Sequence, residues 1–344
     1  MTDDATLQAE LEHARASLTR LREAVGQVIV GQRDTVDAVL AALIADGHVL
    51  LEGAPGLGKT LLVRTLAAAL ALQFGRVQFT PDLLPSDIVG TQVMHTGPEG
   101  ARTFGVHEGP IFCNLLLADE INRASPRTQS ALLEAMQERA VTLGGRQRAL
   151  GRPFLVLATE NPIEMEGTYP LPEAQLDRFL FKITVNEPDE DELVAVLRAT
   201  TGAATTPPAP VLDAEGLLAL QRLCRGVEVI EPVARYAARL VRASNPAGAD
   251  CLASLRGALR FGAGVRGAQS LIVGAKAFAL IDGRYHVAYD DIARVAKLCL
   301  AHRIHRSFEA EREGMRPEHI VDTLLRGVAR HDAAVDAALR EPRR

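Results

Sequence analysis

Apolar positions recur at helical spacing between residues 3 and 24, at Leu7, Leu11, Leu18 and Leu21, and predict a helix there. A second helix is predicted over residues 33–45. The pattern then changes to an unbroken apolar run, HVLLE at 48–52, which reads as a buried strand. It is followed by KTLLVRTLAAALAL, an Ala/Leu-rich stretch that predicts a long helix. Two further runs, FCNLLLAD at 112–119 and PFLVLATE at 153–160, predict strands. Between them SPRTQSALLEAMQERA predicts a helix, with Ser125 as N-cap and Pro126 in the first turn. Strands that alternate with helices imply a parallel sheet covered on both faces.

The small-residue and proline cluster TGAATTPPAP at 201–210 predicts a linker. Beyond it, helices are expected at 213–224, 232–243, 265–281, 290–301 and 317–340, with no strand run. The expected organisation is an α/β domain over residues 1–200 and a smaller helical domain over 211–344. Two hairpins are predicted inside the first domain. One spans 87–112 with its tip at Gly97-Pro98-Glu99-Gly100, and the other turns at Gly144-Gly145.

Composition narrows the setting. A formal charge of −5 and a pI near 6.0 speak against nonspecific nucleic-acid binding. Cys113, Cys224, Cys251 and Cys299 show no CxxC spacing and read as small core residues in a reducing compartment. The N-terminus MTDDATLQAELEHARAS is too acidic and polar for a signal peptide, and no apolar run approaches the ~20 residues of a membrane span. A cytoplasmic protein without membrane insertion is therefore expected. His302 and His305, three apart on an expected helix, lack a Glu or Cys at ligand spacing and read as a surface pair.

The chemistry lies in the turn after the first strand. Gly53, Ala54, Pro55, Gly56, Leu57, Gly58, Lys59 and Thr60 fit G-x-x-x-x-G-K-[ST] between a strand and a helix. Such glycines let backbone N–H groups curl around phosphates at the positive end of a helix. Lys59 would reach the β- and γ-phosphates of ATP, and the Thr60 hydroxyl would bind Mg2+. Downstream, the strand NLLLADE ends in Asp119 and Glu120. One carboxylate would sit beside the metal and the other would act as general base on the attacking water. The next strand ends LATENP, where Asn161 either orients that water or simply forms an Asn-Pro turn.

These residues also carry a family likeness. GAPGLGKT, LLLADEINRASPRTQSALLEAMQE, LATENPIEMEGTYPLPEAQLDRF and AHRI together resemble the MoxR family of AAA+ ATPases, from about Val28 to about Arg303. The resemblance implies a P-loop ATPase core followed by a helical lid, ATP and Mg2+ as ligands, and a hexameric ring. It implies Walker A at residues 53–60 with Leu61 beside it, Walker B at Asp119 and Glu120, and sensor 1 at Asn161. It also implies an arginine finger at Arg178, acting on a neighbouring subunit, and an adenine contact from residues 28–32, including Val30, Gly31 and Gln32. Arg266 would be sensor 2, although this chain has Gly264-Val265 where the family has Ser-Pro. Both hairpins resemble the insertions of the helix-2-insert clade. The family implies remodelling of client proteins, often with a von Willebrand factor A-domain partner. A nucleic-acid or chelatase-like motor and a slow nucleotide-switched scaffold use the same chemistry; the acidity disfavours the first.

Overall fold

The structure, a computed structural model, describes residues 4–96, 102–162, 167–201 and 206–330. The chain divides into two compact units. One comprises Ala16–Phe179 and Ile183–Leu220, the other Met1–Arg15, Leu180–Lys182 and Gln221–Arg344. The stretch 201–210 falls inside the first unit, which runs on to Leu220.

The first unit opens with α1 (Asp4–Gly26), whose leading turns belong to the other unit, and α2 (Arg33–Ile44), which buries Val36, Val39, Leu40 and Leu43. Strand β1 (Val49–Glu52) leads into α3 (Lys59–Ala69). This helix is shorter than its composition predicts. Ala71 turns to positive φ and the Leu72 N–H closes onto the Ala67 carbonyl, ending the helix so that β2 (Phe74–Gln78) can start. A one-turn helix α4 (Pro85–Val89) precedes the antiparallel hairpin of β3 (Gly90–Thr96) and β4 (Arg102–Glu108). The expected hairpin is thus present, while its tip at 97–100 lies outside the described residues.

Strand β5 (Leu115–Asp119) begins three residues later than expected. Just before it, the Asn114 side chain accepts the Gln73 N–H and donates to the Pro153 carbonyl. Helix α5 (Pro126–Glu138) has Ser125 as N-cap, its hydroxyl accepting from the Thr128 N–H. The second hairpin, β6 (Ala140–Leu143) and β7 (Arg146–Ala149), turns at Gly144-Gly145 as predicted. Strand β8 (Leu155–Glu160), the short α6 (Glu173–Leu176), the strand β9 (Phe181–Thr184), whose first two residues belong to the other unit, and α7 (Glu190–Thr200) complete the series.

The sheet order is β2-β5-β8-β1-β9, with β2–β5, β5–β8 and β8–β1 all parallel. Register alternates side chains between two buried faces. Leu50, Leu116, Ala118, Val156 and Ala158 join one core cluster with Leu132, Leu133 and Met136 of α5. Burial on both faces is why these strands appear in sequence as continuous apolar runs. At the carboxyl ends of β1, β5 and β8 the chain leaves the sheet through the three segments that hold the candidate residues of the sequence.

The second unit is helical: the end of α8 (Ala214–Gly226), whose residues through Leu220 belong to the first unit, then α9 (Glu231–Ala243), α10 (Val265–Ile281), α11 (Tyr289–Leu300), α12 (Phe308–Arg312) and α13 (Pro317–Gly327). Against expectation it also holds a small antiparallel pair, β10 (Leu259–Phe261) with β11 (His305–Arg306). Two or three residues carry no readable period, so the sequence hid it. The two histidines do not form the expected surface pair. His302 sits in a 3-10 turn and is buried beside Arg303, while His305 lies on β11. Among the described residues no cluster of His, Cys, Asp or Glu could hold a metal ion by itself. No described helix is long and apolar enough to cross a membrane. All four cysteines are buried and unpaired with one another.

Candidate nucleotide site

Backbone geometry builds the turn first. The Gly53 N–H continues the sheet by donating to the Glu160 carbonyl, and a Cβ there would lie 2.8 Å from the Val185 carbonyl, so only glycine fits under that crossing chain. Gly56 and Gly58 both take positive φ, at +86° and +76°, and nothing lies within 4 Å of where their Cβ atoms would stand. The loop therefore curls through left-handed positions around open space, with Gly58 as N-cap of α3. That is the concave cradle of N–H groups at a helix start that suits phosphate.

Lys59 leads α3. Its Nζ donates to the carbonyls of Gly53 at 2.5 Å and Ala54 at 3.2 Å, folding the ammonium over the loop. Partial burial pulls its pKa below the ordinary lysine value, and the carboxylates of Asp119 and Glu120 oppose that shift. Thr60 follows in the same first turn.

Across from the loop stands the end of β5. Thr159, on β8, positions both acidic residues with one hydroxyl: it donates to Asp119 Oδ1 at 2.7 Å and accepts the Glu120 N–H at 2.8 Å. Glu120 is in the left-handed region, φ 58°, which turns its side chain out of the strand direction. From β2, Arg76 Nη2 pairs with Asp119 Oδ2 at 2.8 Å, and Gln78 Nε2 donates to Glu120 Oε2 at 2.8 Å. Arg123 adds a contact to Glu120 at 3.3 Å. The segment after Glu120 is held from α5, where buried Gln129 Nε2 faces the carbonyls of Ile121, Ala124 and Tyr169.

One cavity of about 430 Å³ gathers this chemistry. Lys59, Thr60, Asp119, Glu120, Thr159 and Asn161 line it, together with Arg76, Gln78, Leu61 and the loop residues Pro55, Gly56 and Gly58. Asn161 is buried at the tip of β8. The donor set suits Mg2+: a hydroxyl and a carboxylate are hard oxygen ligands, and the open cradle beside them accepts polyphosphate. A second cavity of about 680 Å³ is lined by Ile29, Val30, Gly31 and Val36. The next residue, Gln32, donates to the Leu57 carbonyl at 3.0 Å and so ties that segment to the phosphate loop.

Two predicted residues lie elsewhere. Arg178, just past α6, is half-buried and directs a guanidinium N–H to the Leu133 carbonyl of α5, outside the 430 Å³ cavity. Arg266 belongs to the second unit, in the first turn of α10. Gly264 caps that helix with extended backbone and no side-chain hydrogen bond, in keeping with the missing Ser-Pro. Sequence reasoning missed Arg76, Gln78, Gln129 and Thr159. Only Thr159 carried a signal, as the polar residue one before the end of an apolar strand.

Comparison with known proteins agrees with this geometry. Residues 48–181 match the ATPase family associated with various cellular activities (AAA), and residues 255–324 match the AAA lid domain. The chain is 43% identical to the uncharacterized protein YeaC of Bacillus subtilis, over 89% of this chain and 92% of that one. It is 42% identical to Chaperone MoxR1 of Mycobacterium tuberculosis, over 89% of this chain and 80% of the relative. Protein MoxR of Paracoccus denitrificans is 34% identical, over 86% and 91%. The crystal structure of a candidate ATPase from Cytophaga hutchinsonii superposes with a TM-score of 0.87 at 40% identity, covering 93% of this chain and 97% of that one.

Proposed function

Because the chain belongs to the MoxR family of AAA ATPases, we propose that it hydrolyses ATP as a ring-shaped homo-oligomer and so remodels or matures partner proteins. The observation that carries the hydrolytic half is the convergence of Lys59, Thr60, Asp119, Glu120 and Asn161 on one cavity beside an open glycine loop. The name of the chaperone relative supports the remodelling half.

In this reading residues 53–60 wrap the phosphates, and Lys59 leaves the Gly53 carbonyl to neutralise the β- and γ-oxygens. Thr60 and Asp119 would hold Mg2+, whose charge offsets that developing on the phosphoryl oxygens. Glu120 takes a proton from the attacking water, and Asn161 orients that water. Val30, Gly31 and Gln32 border the space for adenine. Arg178 serves a neighbouring subunit's site, which accords with its position outside the cavity of its own chain. Arg266 acts from the lid. We place the protein in the cytoplasm, with a von Willebrand factor A-domain protein or another client as partner, and without nucleic acid as substrate.

Glu120→Gln tests the assignment at its centre. The amide keeps shape and hydrogen bonding but cannot accept the proton, so ATP and Mg2+ should still bind while turnover falls by about 100-fold or more. Fluorescent-nucleotide titration and phosphate release measure the two halves separately. A variant that hydrolyses ATP at the parent rate would remove Glu120 from the mechanism.

A further inference from the structure

Arg76 is a cation that the hydrolytic scheme does not call for. Strand β2 runs parallel to β5 with Gln78 directly opposite Asp119, which brings Arg76 and Gln78, two residues apart on one face, to the acidic end of β5. Arg76 Nη2 donates to Asp119 Oδ2 at 2.8 Å and to Gln78 Oε1 at 3.0 Å. Thr159 donates to the other oxygen, Oδ1, at 2.7 Å. Both oxygens of the proposed metal ligand are therefore engaged, one of them by a full positive charge. The pair is also asymmetric: the Asp119 side chain is 13% exposed and the Arg76 side chain 48%. The carboxylate is fixed in the cavity wall, and the guanidinium has room to leave it.

A divalent cation at Asp119 competes with this pair twice over. It needs lone pairs on the carboxylate that the guanidinium already uses, and its charge repels a guanidinium that stays near. We propose that Arg76 is a built-in counter-cation of Asp119 that competes with Mg2+, and so sets the metal concentration at which nucleotide binds tightly. The inference rests on the nucleotide-site reading above. The Arg76–Gln78–Glu120 chain of hydrogen bonds also connects the event to the proposed base. Release of Arg76 removes one of the two hydrogen bonds that hold the Gln78 amide against Glu120.

The test uses the full chain and a fluorescent ATP analogue, titrated across a Mg2+ series buffered from micromolar to millimolar. Arg76→Gln, neutral and of similar length, should lower the Mg2+ midpoint for tight binding by about 3-fold, the scale of a half-exposed ion pair. Arg76→Lys, which keeps the charge, should stay near the parent. Without metal, Arg76→Gln should bind the analogue no more tightly than the parent, because the substitution removes only competition with the cation. A Mg2+ midpoint that is unchanged or raised in Arg76→Gln overturns the proposal, as does an equal fall in Arg76→Lys. Failure of the parent itself to bind nucleotide with Mg2+ would instead overturn the site reading, and the inference with it. Thermal melting without metal checks that each variant is folded; a structural role alone would shift melting and leave the Mg2+ midpoint in place.

Discussion

Two buried polar residues show how much a single side chain can fix. His48, the residue before β1, is buried. Its Nδ1 accepts the Val156 N–H at 3.0 Å, so Nε2 carries the proton and faces the Met136 carbonyl at 3.2 Å. Burial, with the Arg139 charge nearby, pulls its pKa from 6.5 to about 4. The unfolded chain therefore takes up a proton first, and the fold loses stability as pH falls from 6.5 towards 4. Between pH 7.5 and 5 the loss from His48 alone should be about 2 kcal/mol. Urea denaturation followed by circular dichroism, since the chain has no tryptophan, should show the midpoint falling over that range. His48→Gln, even if weaker throughout, should lose that part of the slope. A parent midpoint that holds steady would mean that His48 is not kept neutral by the fold. The other residue, Thr159, uses one hydroxyl to fix both Asp119 and the backbone of Glu120, and it links strand register directly to chemistry.

At the scale of elements, the segment between β5 and α5 has no regular structure beyond one 3-10 turn, yet it carries the proposed base, Glu120. Gln129 supplies the order. Its amide nitrogen lies 3.2, 3.1 and 2.9 Å from the carbonyl oxygens of Ile121, Ala124 and Tyr169, all reached from the first turns of α5. Gln129→Ala would leave those carbonyls without this donor, at a cost of about 2 kcal/mol. It should lower kcat more than nucleotide affinity, because the phosphate loop is built on other strands. Parent-level kcat in a folded variant would show that the segment is positioned without Gln129. None of this was legible in the sequence. The strand–loop–helix around Lys59, the acidic end of β5 and both hairpins declare themselves through apolar runs, glycines and turn residues. Gln129 sits in a stretch whose period only says helix. Strand β2, FGRVQ, buries Val77 alone, so neither alternation nor a continuous apolar run marks it. Arg76 and Gln78 therefore enter the site through sheet order, which places β2 beside β5. The early stop of α3 has a similar cause: Ala-Leu propensity favours more helix, and the turn at Ala71 that feeds β2 overrides it.

For the whole molecule the decisive question is whether a site is completed by a second chain. Arg178 donates to Leu133 rather than lining the phosphate cavity, so its own chain leaves the proposed transition-state charge without that guanidinium. If the neighbour's Arg178 fills the role, Arg178→Ala should bind ATP normally and hydrolyse it slower by a factor on the order of 10³. Lys59→Ala should lose phosphate affinity but keep an intact finger. Neither variant alone would turn over ATP at an appreciable rate. In a mixture, every junction where an intact Lys59 pocket meets a neighbour's intact Arg178 regains both halves. Activity should then rise with the mixing ratio to a maximum at an intermediate composition, as measured by phosphate release at a protein concentration where light scattering shows assembly. A guanidinium that acts only inside its own chain cannot be supplied by another. A mixture that assembles and stays as inactive as its parts would therefore confine Arg178 to its bond with Leu133 and remove the shared site from the mechanism.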